Sequence, residues 1–509
     1  MYASYKKLWP LERQNHPNFS NILLKIGIYR AICPASHLVI TSFGKAISHD
    51  FTTTFTMKAL EYASTHQVQF LSELTEFLRI PSISTQVEHK ADMEQAVGWL
   101  CDKLLAAGFP HAAVMPTPGH AIVYAEWLPA GPEAPTVLIY GHYDVQPPDP
   151  LELWRTPPFE PALVGDNLYG RGTSDDKGQL YVHVKALQAF KETVGAPPVN
   201  VKCLFEGEEE SGSTNLAPFI RQHKALLAAD VAVISDSHIL AKDQPAIVYG
   251  LRGLSYVEVE VTGPAGDLHS GSYGGAVHNP INALCAMIAD LHDANGRVAI
   301  PGFYERVHEL EPDERAELAK IPFNRQQWLR EAGVRADWGE AEYTIIERTS
   351  ARPSLDANGI WGGYIQPGAK TVLPSKAYAK ISMRLVPDQQ PAEITRLIQQ
   401  HLQATAPPTI SVEVRDLHGG DGAIVRRDSR AMQAAFRAYT AGFGAEPIFT
   451  RAGGSIPVVA CFQKELGIET ILMGFGLPDD NLHAPNEKIY LPNLYRGVET
   501  MIHFLQFLA

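Results

Sequence analysis

Residues 201–205 form an apolar run broken only by Lys202, and the run ends abruptly in Glu206, Glu208, Glu209 and Glu210. Adjacent carboxylates repel, so a fold that gathers them at a strand end needs positive charge there. Alone, such a run reads as a solvated acidic turn. Its company elsewhere in the chain changes that reading. A strand candidate at 136–140 runs into Gly141-His142-Tyr143-Asp144, and 167–169 leads through Gly170-Arg171-Gly172-Thr173-Ser174 to Asp175-Asp176. The run 231–234 leads into Ser235-Asp236, and 470–475 into a loop carrying Asp479, Asp480 and His483. Singly these are weak signals, because an Asp after a strand commonly caps a helix. Five strand ends that deliver His, Asp or Glu to one rim read instead as a metal centre. Two histidines with several carboxylates suit Zn²⁺ or Mn²⁺ and are too nitrogen-rich for a dedicated Ca²⁺ or Mg²⁺ cage. More carboxylates than one ion needs points to two ions sharing a bridging carboxylate, roughly 3.5–4 Å apart as in two-metal hydrolytic sites.

The elements that must hold these residues follow from periodicity. Between Met57 and Tyr249, strand candidates at 122–127, 136–140, 201–205 and 231–234 alternate with helical patterns at 93–107, 179–194 and 216–227. Alternation of this kind predicts an α/β fold, a mixed and mostly parallel sheet covered by helices, with ligands beyond the carboxyl ends of the strands. Near Gly250 the style changes. Residues 256–261 alternate strictly, as in a half-exposed antiparallel strand, and are followed by a helix at 280–291 and a charged, helical insertion at 304–333. A strand at 376–386, a helix at 392–404 and a strand at 410–415 come next. Residues 250–419 therefore read as a smaller α+β unit inserted into a catalytic domain of residues 57–249 and 420–509, with Gly419-Gly420-Asp421-Gly422 as the way back.

Composition sets bounds. A net charge of −13 argues against a nucleic-acid or anionic-membrane partner. The five scattered cysteines, with no CxxC spacing, read as reduced thiols in a cytoplasmic setting. No apolar run reaches transmembrane length. Residues 1–56 carry +4 against −17 for the remainder, and the amphipathic pattern starts only at Met57. They read as a disordered or non-native extension.

The chain resembles the dinuclear metallopeptidases that include carnosine and cytosolic dipeptidases, aminoacylases, acetylornithine deacetylase and succinyl-diaminopimelate desuccinylase. The motifs are Gly-His-Tyr-Asp-Val at 141–145, Tyr-Gly-Arg-Gly-Thr-Ser-Asp-Asp-Lys-Gly at 169–178 and Glu-Glu-Ser-Gly-Ser at 209–213. The dipeptidase branch is marked by Leu-His-Ser-Gly-Ser-Tyr-Gly-Gly at 268–275 and Arg-Leu-Val-Pro-Asp at 384–388. Arg-Ala-Gly-Gly-Ser-Ile-Pro at 451–457 and His-Ala-Pro-Asn-Glu-Lys at 483–488 complete the match.

The resemblance implies that His142 and Asp236 bind one metal, Glu210 and His483 the other, and that Asp175 bridges them, followed by an unusual, cis peptide to Asp176. It implies that Asp144 fixes the His142 tautomer and that Glu209 is the general base toward a water on the two ions. It further implies that His269 reaches the active site of a second subunit and stabilises the oxyanion there, which requires a homodimer joined through the inserted lid domain. Arg384 would grip the substrate's terminal carboxylate, with Thr371 and Ser455 also binding substrate; Arg252, His278 and His418 read as structural, and Glu208 as ordinary. The function implied is hydrolysis of dipeptides or short peptides with two Zn²⁺ or Mn²⁺ ions per subunit. The same metal core would also serve an N-acyl-amino-acid deacylase or desuccinylase. A catalytically silent binding protein is the rival of another class, against which the intact Glu209 argues.

Overall fold

The computed structural model describes residues 56–454 and 456–509, so the expectations placed on residues 1–55 and on Ser455 lie outside the described residues. The strands follow in chain order. They are β1 (His111–Met115), β2 (Ile122–Trp127), β3 (Thr136–His142), β4 (Ala162–Val164), β5 (Asn167–Tyr169), β6 (Asn200–Glu206), β7 (Val231–Ile234), β8 (Ala246–Leu251) and β9 (Gly253–Thr262). Then come β10 (Leu268–His269), β11 (Ser354–Gly362), β12 (Val372–Leu373), β13 (Lys376–Leu385), β14 (Ser411–Gly420), β15 (Ala423–Ile424), β16 (Ile448–Ala452), β17 (Glu469–Leu472) and β18 (Lys488–Tyr490).

The main sheet has the order β1-β2-β6-β3-β7-β17-β8-β15, with β16 also pairing with β8. Its centre is parallel: β3 pairs with β6 and β7, and β17 with β7. These central strands are buried on both faces because alternate side chains point to opposite sides. Val137, Ile139, Val201, Cys203, Phe205, Val231 and Val233 enter one core, against the helices Lys177–Val194 and Leu491–Leu508. Leu138, Tyr140, Leu204, Ala232 and Ile234 enter the other, against Leu216–Gln222 and Pro457–Glu465. The run 216–227, which the periodicity suggests is one helix, is two, Leu216–Gln222 and Lys224–Leu227, with His223 between them.

A second sheet, β11-β13-β9-β14, is antiparallel throughout. Val257, Val259, Val261, Ile381 and Met383 face a core built with the helices Pro280–Ala289 and Pro391–Thr405, while Tyr256 and Glu258 are half-exposed. The strict alternation at 256–261 is the mark of this one-sided burial. The charged insertion holds two short helices, Pro312–Leu318 and Arg325–Glu331. β5 lies outside the main sheet, in a separate three-stranded sheet, β18-β5-β4. Its three residues are too few for periodicity to show which sheet they join.

The chain crosses between the two large sheets twice, at Leu251–Gly253 and at Gly420–Ala423, and the crossings touch. A Cβ on Gly253 would lie 2.6 Å from the Gly420 carbonyl oxygen and 2.7 Å from the Gly422 nitrogen. Both neighbours are backbone, so only glycine fits. No helix among the described residues is long and apolar enough to cross a membrane, and Cys101, Cys203, Cys285 and Cys461 are free thiols.

Gly253→Ala is expected to destabilise the fold by about 1–3 kcal/mol, the usual range for overpacking, read as a lower urea midpoint. An unchanged midpoint would mean that the crossings have room to spare.

Candidate metal centre

β3 ends at His142, β6 at Glu206 and β7 just before Ser235-Asp236, so three neighbouring parallel strands deliver their next residues to one rim. The loop between β5 and the helix Lys177–Val194 brings Asp175, and the loop before β18 brings His483. Two groups of possible ligand atoms result, His142, Asp175 and Asp236 in one and Asp175, Glu210 and His483 in the other, each within 4.8 Å. Asp175 belongs to both. Its Oδ1 lies 3.0 Å from His142 Nε2 and its Oδ2 3.0 Å from His483 Nε2. His483 Nε2 is also 3.2 Å from Glu210 Oε2, and His142 Nε2 is 4.0 Å from Asp236 Oδ2. The Asp175–Asp176 peptide is cis.

The side chains are aimed by contacts behind them. His142 Nδ1 donates to the Asp144 carbonyl oxygen at 3.0 Å, which leaves Nε2 of the neutral ring as the lone-pair nitrogen facing Asp175. The Asp144 carboxylate is farther from Nδ1, at 3.4 Å, because it is engaged elsewhere. Its Oδ1 accepts from the Glu209 backbone N–H at 3.3 Å. Its Oδ2 accepts from the Glu210 N–H at 3.1 Å and from Ser84 Oγ at 2.7 Å. Asp144 therefore latches the acidic turn to the end of β3. Gln146 Nε2 donates to Glu210 Oε2 at 2.8 Å, and Glu208 accepts from the His120 N–H at 3.1 Å and from Asn215 Nδ2 at 3.0 Å. Glu487, fully buried, accepts from the backbone N–H groups of Gly172, Ser174 and Asp175 and from Arg171 Nη1. Asp480 accepts from Ser174 Oγ at 2.9 Å and from Lys488 Nζ at 3.0 Å. His483 itself has φ 58°, a left-handed conformation uncommon for a residue with a Cβ.

Ser84, Gln146 and Glu487 were not singled out as site residues by sequence reasoning, although Glu487 stands inside a quoted motif. Glu208 is not merely ordinary, since it pins the turn. His269 and Thr371 come together on the short β10–β12 ribbon, where His269 pairs with Val372 and the Ser270 N–H donates to the Thr371 carbonyl oxygen. Both are exposed and outside the two ligand groups. Arg384, half-buried, lies on β13 opposite Leu254.

The electrostatics reflect how closely these acids are crowded. Burial pushes the Glu209 carboxyl up to about 8, with Asp236, Glu210 and Asp175 adding to the rise and His142 opposing it. Burial also lifts Asp176 to about 8 and Asp236 well above the usual carboxylate range. Asp175 is buried too, yet His142 and His483 hold it low. Asp175 and Glu210 in turn raise His483 to about 10. Crowding and burial thus favour the protonated forms of Glu209, Asp176 and Asp236, and the carboxylates beside His142 and His483 favour protonated rings. Divalent cations fit this donor set of two imidazole nitrogens and three carboxylates.

Residues 138–506 match the model for peptidase family M20/M25/M40. The chain belongs to this family. It is a metal-dependent peptidase. It is 32% identical over 483 residues to the Cys-Gly metallodipeptidase DUG1 of Saccharomyces cerevisiae, covering 91% of this chain and 98% of that protein. It is 32% identical over 466 residues to the human Beta-Ala-His dipeptidase, with 88% and 91% covered. Among solved structures, the M20 family metallo-carboxypeptidase Sso-CP2 from Sulfolobus solfataricus superposes with a TM-score of 0.77 at 33% identity, over 86% of this chain and 99% of that one.

Loss of a contact that orients a metal ligand typically weakens metal affinity about 10–100-fold. Gln146→Ala should produce a loss of that size at the Asp175–Glu210–His483 group, read as metal content after dialysis against graded chelator. Retention equal to the parent would show that Glu210 holds its place unaided.

Proposed function

We propose that the chain is a dipeptidase that uses two divalent metal ions, zinc or manganese, to hydrolyse the amide bond of dipeptides or short peptides. The observation that carries this reading is that two ligand groups share Asp175 while Glu209, latched beside them, belongs to neither. The Cys-Gly and Beta-Ala-His dipeptidase relatives support the dipeptide as substrate class.

In this reading His142, Asp175 and Asp236 hold one ion, and Asp175, Glu210 and His483 the other. When bound, the pair supplies Lewis acidity that polarises the scissile carbonyl and activates water. Glu209 takes a proton from the attacking water and returns it to the leaving amine, work that needs a carboxylate close to the ions but not captured by them. Asp144 positions both partners, through its carbonyl on His142 and its carboxylate on the Glu209–Glu210 turn. Arg384 receives the terminal carboxylate, to which a planar guanidinium is suited, and Thr371 and Ser455 add polar contacts to substrate.

His269 serves the site of a second copy, where it stabilises the oxyanion. Its exposure, and the fact that neither ligand group of its own chain includes it, support that role, and with it a homodimer. The unit 250–419 is then a lid and dimerisation domain on the catalytic domain of 57–249 and 420–509, closing over substrate to exclude water. The free thiols suit a reducing, cytoplasmic compartment.

Purified protein supplied with Mn²⁺ or Zn²⁺ should hydrolyse members of a dipeptide panel, and turnover of N-acetyl amino acids alone would make it a deacylase instead. Glu209→Gln should lower kcat by about 10²–10⁴-fold, the range for a lost general base, with near two ions per chain retained. Loss of metal from that variant would mean that Glu209 is a ligand.

A further inference from the structure

Ser213 has φ 49°, a left-handed conformation that is uncommon for a residue with a Cβ and easy for glycine. Gly212 beside it, at φ 93°, meets the same demand without a side chain. What serine offers here and glycine does not is a hydroxyl. Its Oγ donates to Glu206 Oε1 at 2.9 Å, across the acidic turn from one end to the other. Strain kept at such a position points to a side chain with a task.

Glu206 is itself firmly held. It is the last residue of β6, buried, and pairs in register with His142 at the end of β3. Tyr140, buried two positions before His142 and on the same face of β3, donates its hydroxyl to the same Oε1. The Glu206 carbonyl oxygen accepts from the Tyr143 N–H at 2.8 Å. A Cβ on Gly207 would lie 2.4 Å from the hydroxyl of the buried Tyr143, so the turn leaves β6 in close contact with the residue after β3.

The turn is fastened in two halves. Asp144 holds the first, accepting from the Glu209 and Glu210 N–H groups at 3.3 and 3.1 Å, and the contacts of Glu208 and Gln146 act on that half too. In the second half the Gly212 N–H donates to the Glu209 carbonyl oxygen at 2.9 Å and the Ser213 N–H to that of Glu208 at 2.7 Å. The orientation of the Glu209 backbone therefore depends on where Gly212 and Ser213 lie. The Ser213 hydroxyl ties them to β6. Asp144 alone would act as a pivot, and the second fastening removes rotation about it.

We propose that Glu206 and Ser213 are positioning residues for the general base: their hydrogen bond, backed by Tyr140, sets the turn so that the Glu209 carboxylate stands beside both ligand groups and joins neither. This deepens the reading of Glu209 given above and rests on it.

The test measures kcat and KM for one dipeptide, metal content and thermal melts, in metal-loaded parent, S213G, E206L, E206Q, E209Q and the S213G/E209Q double variant. S213G removes the hydroxyl and supplies a residue suited to φ 49°, so it should melt cooperatively near the parent. It should nevertheless lose about 10–100-fold in kcat, the scale for a misplaced catalytic group. KM and metal content should stay at parent values, as when an interaction matters only in the transition state. E206L should lose as much, and E206Q, whose amide oxygen still accepts from both hydroxyls, should recover most of that loss. In the E209Q background S213G should cost nothing further, because positioning acts through the carboxylate that is gone; a merely structural defect would multiply the two losses. Parent-like kcat in S213G, loss of metal from it, or a further loss of about tenfold in the double variant would each overturn the proposal, as would a loss in E206Q as deep as in E206L. Parent-like kcat in E209Q would instead overturn the reading beneath it. If E206L does not melt cooperatively, S213G and the double variant decide by the same outcomes.

Discussion

Asp175 is wedged between two imidazoles, with Asp176, Asp236, Glu209 and Glu210 close by in a largely buried rim. Two like charges about 4 Å apart cost roughly 4 kcal/mol at an effective dielectric of 20. That repulsion is the constraint the remainder of the site answers. Protons can relieve it, in line with the upward shifts of the Glu209 and Asp236 carboxyl groups and the His483 imidazole. Divalent cations relieve it more completely, and they displace those protons as they bind. A carboxylate crowd of this kind would be a defect in an ordinary core and is an asset where cations are to be held.

Such a crowd stays in place only if its backbone is held from outside, and here the fold contributes most. Glu487 accepts from three N–H groups of one loop, Gly172, Ser174 and Asp175, and from Arg171, so a buried acid fixes the segment that carries Asp175. Asp144 does the same for the acidic turn, and Ser84 closes the contact from a segment that precedes the sheet. Asp175 and the Glu209–Glu210 turn are each backed by another carboxylate turned onto backbone donors. That division explains why neighbouring acids such as Glu208, Glu209 and Glu210 have different duties: one pins the turn, one is latched by its backbone alone, and one joins a ligand group.

Much of this was legible in the sequence because strand ends are marked locally. The runs 122–127 and 231–234 match strands at both ends, and the residues just past β3, β6 and β7 are those that meet in space. Family resemblance then separated Glu209 from Glu210, which periodicity could not do. Other features rest on contacts that no local pattern carries. Ser84 and Asp144 are 60 positions apart, Gln146 and Glu210 are 64 apart, and Ser174 and Glu487 are 313 apart. The break at His223 and the separate sheet of β5 were missed for a related reason, since tertiary packing overrides a short periodic signal.

The claim on which everything else depends is that Asp175 bridges two cations. Anomalous diffraction from crystals of the metal-loaded protein measures this most directly. Two peaks roughly 3.5–4 Å apart, one beside His142 and Asp236 and the other beside Glu210 and His483, are the predicted result. A single peak at saturating metal, or peaks that leave Asp175 uncoordinated, would contradict it.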